Sequence, residues 1–151
     1  MSNAWAIAAV TRTLYNLLAE ASKKDFSEVP SDIRPSKVTI KTLPPDRARE
    51  EKETINLFLY RTEISPTWRN MPMPNSVRPG ETSSPVLPLN LYYLITAYGK
   101  DEGEIGDETS QILLGWAMRV LHDHPVLERT EIEKALASSG LHGQPERVRI
   151  T

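Results

Sequence analysis

The stretch Ile55-Asn56-Leu57-Phe58-Leu59-Tyr60 decides the fold. It is apolar on both faces, as a strand covered on both sides must be, so it is expected at the centre of a sheet. Ser65-Pro66 ends it. The next apolar segment, Leu89 to Tyr98, has the length of a long strand. Leu89, Leu91, Tyr93, Ile95 and Ala97 fall on one face; Asn90, Tyr92, Leu94, Thr96 and Tyr98 fall on the other. Before the central stretch, Lys37 to Leu43 alternates, with Val38 and Ile40 between Lys37, Thr39 and Lys41, which reads as a half-buried strand. Pro44-Pro45 stops it. Asp46 to Glu53 holds three basic and four acidic residues. The reading preferred for that run is a solvated hairpin tip or turn.

Helices surround these strands. Ile7, Val10, Leu14, Leu17, Leu18 and Ala21 recur at steps of three and four, giving a helix over residues 4–22 that Ser2 or Asn3 can cap. Lys23 and Lys24 suit its exit. After an acidic turn at 101–107, a second helix is expected from a cap at Asp107 or Thr109. Its apolar face is Ile112, Leu113, Trp116, Ala117, Val120 and Leu121, and Pro125 closes it. Thr130 to Glu133 reads as a capping box for a third helix ending at Gly140. Arg147 to Thr151 alternates again. The order α-β-β-(long loop)-β-α-α-β predicts a single α+β domain over 1–151, with a mixed, largely antiparallel sheet flanked by helices.

Composition narrows the function. Eighteen Lys+Arg against 20 Asp+Glu leave a net charge of −2. That is unlike a strongly basic nucleic-acid binder or a polybasic membrane binder, so neither partner is expected. Cysteine is absent, which excludes disulfides, thiol catalysis and thiolate metal sites. No segment has the length of a membrane span, and the N-terminus lacks the pattern of a signal peptide, so cytoplasmic synthesis is the expectation.

Catalytic patterns are missing. There is no G-x-S-x-G elbow and no phosphate-binding glycine loop. His122-Asp123-His124 could offer two imidazoles to a metal, with Asp123 or His142 as third ligand. Its position at a helix end favours a capping role instead. The acidic residues at 101–108 lack the ligand spacing of an EF-hand. No metal, cofactor or catalytic residue is assigned, and the chain is not expected to be an enzyme.

The remaining feature is proline. The chain has 12, and six of them lie in the 24 residues from Ser65 to Pro88. A loop of that length in a compact domain is usually functional or ordered by a partner. It contains Trp68-Arg69-Asn70-Met71, residue types enriched at interfaces. Trp68 could equally fold back onto its own core.

Four stretches, taken together, resemble a known family. They are AIAAVTRTLYNLL at 6–18, INLFLYRTEISPTWRN at 55–70, LPLNLYYLITAYG at 87–99 and QILLGWAMRVLHDHPVL at 111–127. In that order they resemble the N-terminal domain of the cap, or tail-terminator, proteins of contractile injection systems, which are phage-tail-like particles. The resemblance implies a phage tail-terminator-like fold and a structural subunit. Such a subunit assembles as a sixfold ring on the last layer of the inner tube, stops tube growth and anchors the sheath. Its implied partners are other copies of itself, the inner tube protein and the sheath protein. Assembly would be cytoplasmic, within a particle that the cell can release. Family members continue past the point matching Thr151, so further strands are expected there. Trp68, Arg69, Asn70, Met71 and Arg78 are the candidate subunit and tube contacts. An adaptor or baseplate-associated role, and an enzyme with an unrecognised site, are the alternatives.

Overall fold

A computed structural model describes residues 5–23, 26–48, 52–69, 88–100, 104–137 and 147–151, without the side chains of 68, 69, 104–107, 129, 136, 137 and 147. Its main sheet has the order β1-β2-β3: β1 is Thr39–Lys41, β2 is Thr54–Ile64 and β3 is Leu89–Tyr98. The stretch at 55–60 is central, as its two apolar faces require. Ile55 and Leu57 are fully buried, opposite Ala97 and Ile95 of β3. Helices α1 (Ala6–Ala21) and α4 (Glu104–Asp123) cover this face. Val10, Leu14 and Leu18 of α1 and Leu113, Trp116, Ala117 and Val120 of α4 form the core with Ile40, Ile55 and Leu57. Phe26 closes over Trp116 at 5.6 Å between ring centroids. The domain is α+β with a mixed sheet.

The first connection corrects the hairpin expected at 46–53. β1 and β2 run parallel, with Ile40 beside Ile55. Parallel neighbours cannot be joined by a tight turn, because the chain must return to the starting end of the sheet. The return includes a single helical turn, α2 (Pro45–Ala48), on the sheet face opposite α1. Pro45 sits at the first helical position, where its missing N–H costs nothing, and Pro44 O accepts from Arg47 N and Ala48 N.

Asn56 holds this crossover in place. Its side chain is fully buried on the α2 face. It accepts from Leu43 N at 2.9 Å and donates from Nδ2 to Leu43 O at 2.9 Å. An amide supplies one donor and one acceptor, so it imitates the ladder partner that Leu43 has just lost. Tyr98 adds a second tie, its Oη donating to Pro45 O.

Glu53 secures the other end, and it is not the solvated tip expected of the charged run. It is 8% exposed and adopts φ 49°, a left-handed backbone that non-glycine residues rarely take. That backbone lets its N–H reach Gly99 O while its C=O accepts from Thr39 N, joining β3, β2 and β1. Its carboxylate accepts from Ser36 N at 2.7 Å, from Lys37 N at 3.2 Å and from Ser36 Oγ. Burial alone would raise its pKa. The bonds from Ser36 and Lys37 and the charge of Lys100 outweigh burial and hold it below the ordinary 4.5.

Three further boundaries differ from expectation. Helix α4 begins at Glu104, ahead of the expected cap, so Thr109 lies inside it. The fully buried Thr109 donates from Oγ1 to Ile33 O, tying the helix to the segment before β1. A short strand, β4 (Val126–Glu128), follows Pro125 and pairs antiparallel with β5 (Arg147–Arg149) in a second sheet. Helix α5 (Arg129–Ala137) is capped two residues earlier than the box at Thr130 suggested: Glu131 Oε2 accepts from Glu128 N at 2.9 Å. Leu127 and Ile132 carry this unit into the core. At α1, Trp5 holds the cap position without a side-chain cap bond, while Ser2, Asn3 and Lys24 lie outside the described residues.

Asn56→Ala should lower folding stability by about 2–4 kcal/mol, because two main-chain groups lose buried partners at once. Urea denaturation measures it; a loss near zero would mean water replaces the amide. Glu53 should also make stability pH-dependent. Its folded pKa lies below its unfolded one, so its contribution is complete above the unfolded value and disappears as pH falls through the folded value. Glu53→Gln should be less stable than the parent at pH 7 and should lose less further stability on acidification below pH ~5.

Candidate interaction surface

The far half of the β2–β3 pair carries the most conspicuous exposed chemistry among the described residues. Its geometry starts from an irregularity. Leu59 lies opposite Tyr93, but Arg61 lies opposite Tyr92, so Tyr60 is an extra residue in β2. A bulge of this kind switches the faces of every residue after it. Up to Leu59, odd-numbered residues face α1 and α4. Beyond it, Thr62 and Ile64 take that face, opposite Leu91 and Leu89, while Arg61 and Glu63 join Tyr92 and Asn90 on the other.

The switch assembles a polar cluster. Tyr92 Oη donates to Glu63 Oε2 at 2.9 Å, and Arg61 pairs with Glu63 Oε1. The Arg61 guanidinium lies 5.4 Å from the Tyr92 ring centroid, a cation–π distance. The Tyr60 ring approaches that of Tyr92 at 6.3 Å. The bond from Tyr92, with Arg61 in support, holds the Glu63 carboxyl below its usual range. The same bond raises the Tyr92 phenol, which gives up its proton less readily beside a carboxylate. Large apolar side chains are exposed on both faces of this end of the sheet: Leu94 at 42% shares the face of Tyr92, Ile64 at 47% and Leu89 at 36% take the opposite one, and Tyr60 is 57% exposed at the bulge. Large side chains left this open on adjoining strands suit contact with another surface.

The cluster adjoins the proline-rich segment. Ser65 N donates to Pro88 O at 3.0 Å, closing the ladder where that segment leaves and returns. The first four residues after Ser65 form a helical turn, α3 (Pro66–Arg69), where no period was expected. Trp68 and Arg69 therefore sit on a turn next to Ile64 and Leu89; their side chains, with Asn70, Met71 and Arg78, lie outside the described residues. The sequence reading missed Tyr60, Arg61, Glu63, Ile64 and Leu94. One signal was available: the apolar positions 55, 57 and 59 are odd, and the next aliphatic one, Ile64, is even.

The other candidates resolve into structural roles. His124 N donates to Leu121 O, and His124 Nδ1 lies 2.9 Å from Val120 O, so the imidazole serves the end of α4. His122 is in the last turn of that helix. His142 lies outside the described residues. Among the described residues no group of three or more His, Asp or Glu could hold a metal. Tyr93 Oη meets Thr11 Oγ1 at 2.7 Å, joining β3 to α1. No described helix is long and apolar enough to cross a membrane.

Fold and surface together define an α+β protein whose most conspicuous described surface is the exposed end of the β2–β3 pair. A family model described as the Pvc16 N-terminal domain matches residues 9–151. The chain belongs to that family, which is associated with contractile injection systems, the phage-tail-like particles. No curated protein and no solved structure matches it.

Tyr92→Phe should leave the melting temperature almost unchanged, because the cluster is exposed. It should shift the titration of Glu63 upward, toward the ordinary carboxylate range. Carboxyl-carbon NMR measures this; an unshifted Glu63 would show that the Tyr92 bond does not form in solution.

Proposed function

We propose that this protein is a cap subunit of a contractile injection system, six copies forming a ring on the end of the inner tube. The ring ends tube growth and anchors the sheath; the subunit acts by contact and performs no catalysis. Family membership supports the setting. The observation that carries the structural role is the exposed apolar end of the β2–β3 pair, beside the turn bearing Trp68 and Arg69.

A ring closes by head-to-tail contacts, in which one patch meets a different patch of the next copy. A stable contact of this type buries ~800 Å² on each partner. A segment of 24 residues has the length to supply much of that. Prolines restrict the segment before it binds, which reduces the entropy lost on docking. Trp68, Arg69, Asn70, Met71 and Arg78 are the proposed anchors on subunit and tube, and the small net charge limits repulsion among gathered copies.

The purified protein mixed with its tube protein should appear in electron micrographs as a ring at one tube end, and tubes should stop lengthening. Rings along the tube, or tubes of unchanged growth, would overturn the assignment. Trp68→Ala and Arg69→Ala should weaken ring formation at least about tenfold while the monomer keeps its melting profile. Unfolding of the monomer would instead make the segment a support for the core.

A further inference from the structure

We propose that the outer face of α4 packs against α4 of a second copy, the two helices running antiparallel about a two-fold axis between Leu114 and Gly115, so that the chain forms a weak dimer in solution. The argument starts from the division of α4 into two sides. Thr109, Leu113, Trp116, Ala117 and Val120 are buried against the sheet and α1. Gln111, Leu114, Gly115 and Met118 are exposed on the other side, flanked by Glu108 and Arg119. Leu114 and Met118 are four residues apart, so they stack in one row on the helix surface. A Cβ added at Gly115 would meet nothing within 4 Å. Gly115 is therefore a notch beside two large apolar side chains, where a second helix can approach closely.

A second copy of α4 matches this face. With the axis between Leu114 and Gly115, antiparallel packing sets Leu114 of each copy against Gly115 of the other, a knob against a notch. It also sets Met118 against Gln111, so the flexible thioether chain covers the methylenes of the amide. Glu108 and Arg119 are eleven residues apart, three turns, so they share one flank of the helix. The separation of ~16 Å is too great for an ion pair within one copy. In an antiparallel pair the same flanks of the two helices adjoin. The midpoint of Glu108 and Arg119 falls one residue from the axis that the apolar pairs require. Glu108 of each copy thus reaches Arg119 of the other. A parallel pair would set like charges side by side, so the charges select the antiparallel arrangement.

The contact is small. Residues 108–122 span ~21 Å of helix, and one helix crossing covers less than the ~800 Å² per partner of a stable complex. The dimer is accordingly reversible. A two-fold contact uses the same patch on both copies and stops at two, whereas a ring joins two different patches. The inference therefore goes beyond the cap reading and does not rest on it.

The test is sedimentation of the full chain from about 5 to 500 µM, a range that reads weak association. The average mass should rise from monomer toward dimer as concentration increases. Met118→Glu should weaken association at least about tenfold with the melting profile kept. Gly115→Leu should also weaken it about tenfold, while raising the melting temperature, because leucine favours helix and has room in the monomer. Glu108→Arg and Arg119→Glu should each weaken association about fivefold, and the two together should restore it to within about twofold of the parent. A monomer at every concentration overturns the proposal. So does a dimer indifferent to Gly115→Leu, or a charge-exchanged pair that stays as weak as its single variants.

Discussion

The fold depends on the parallel pairing of β1 with β2. Every other contact in the sheet could be made by a simple meander, but this one obliges the chain to leave the sheet, cross its face and return. Crossovers of this kind are normally long enough to carry a full helix, which buries an apolar stripe and so stabilises itself. Here the described part of the return holds a single turn, with little apolar surface to bury. Polar groups substitute for it. Asn56 supplies two directed bonds at the departing end, and Glu53 supplies three from its carboxylate at the arriving end. Both side chains are removed from water, so each bond is made where few competitors exist, and each would be costly to leave unmade. The left-handed backbone of Glu53 belongs to the same solution: it lets one residue touch all three strands.

Much of the fold was legible because it follows from apolar periodicity. The faces of α1 and α4, the central position of 55–60 and the division of β3 into two faces all depend on burial, and burial leaves its mark in residue spacing. The misread features depend on other physics. The direction of β1 relative to β2 is a property of the connection, and a run of seven charges after two prolines has the composition of a surface turn whichever way the strands run. Its one buried member, Glu53, differs from its neighbours only by where the chain carries it. β4 is three residues long and pairs with β5, distant in sequence, so it has no period of its own to read. The cap of α5 went wrong for a local reason: Glu131 reaches Glu128, so the helix starts with an acidic residue where a hydroxyl was expected. At the surface, the turn bearing Trp68 was read only as loop, and the cluster of Arg61, Glu63 and Tyr92 was invisible because it exists only after the change of register at Tyr60.

Core and surface also divide the labour within one pair of strands. From Thr54 to Leu59, β2 alternates between the helix-covered core and the crossover. From Tyr60 to Ile64 the same strand is mostly exposed and joins charged, aromatic and aliphatic groups near the point where the proline-rich segment emerges. The sheet thus acts as a rigid arm, anchored at one end by Ile55 and Leu57 and presenting its other end outward. Functional groups held on rigid elements lose less freedom on contact than groups on loops alone.

The extra residue at Tyr60 has one more consequence, and it concerns how such a protein can change over generations. A strand without a bulge shares one parity along its whole length, so a shift by one residue near the tip would turn the buried residues near the base outward. With the bulge in place, the two halves are read in separate frames. Substitutions among residues 61–64 can redraw the presented surface without disturbing the frame in which Ile55, Leu57 and Leu59 meet the helices. The bulge therefore lets the exposed surface vary while the sheet beneath it stays fixed.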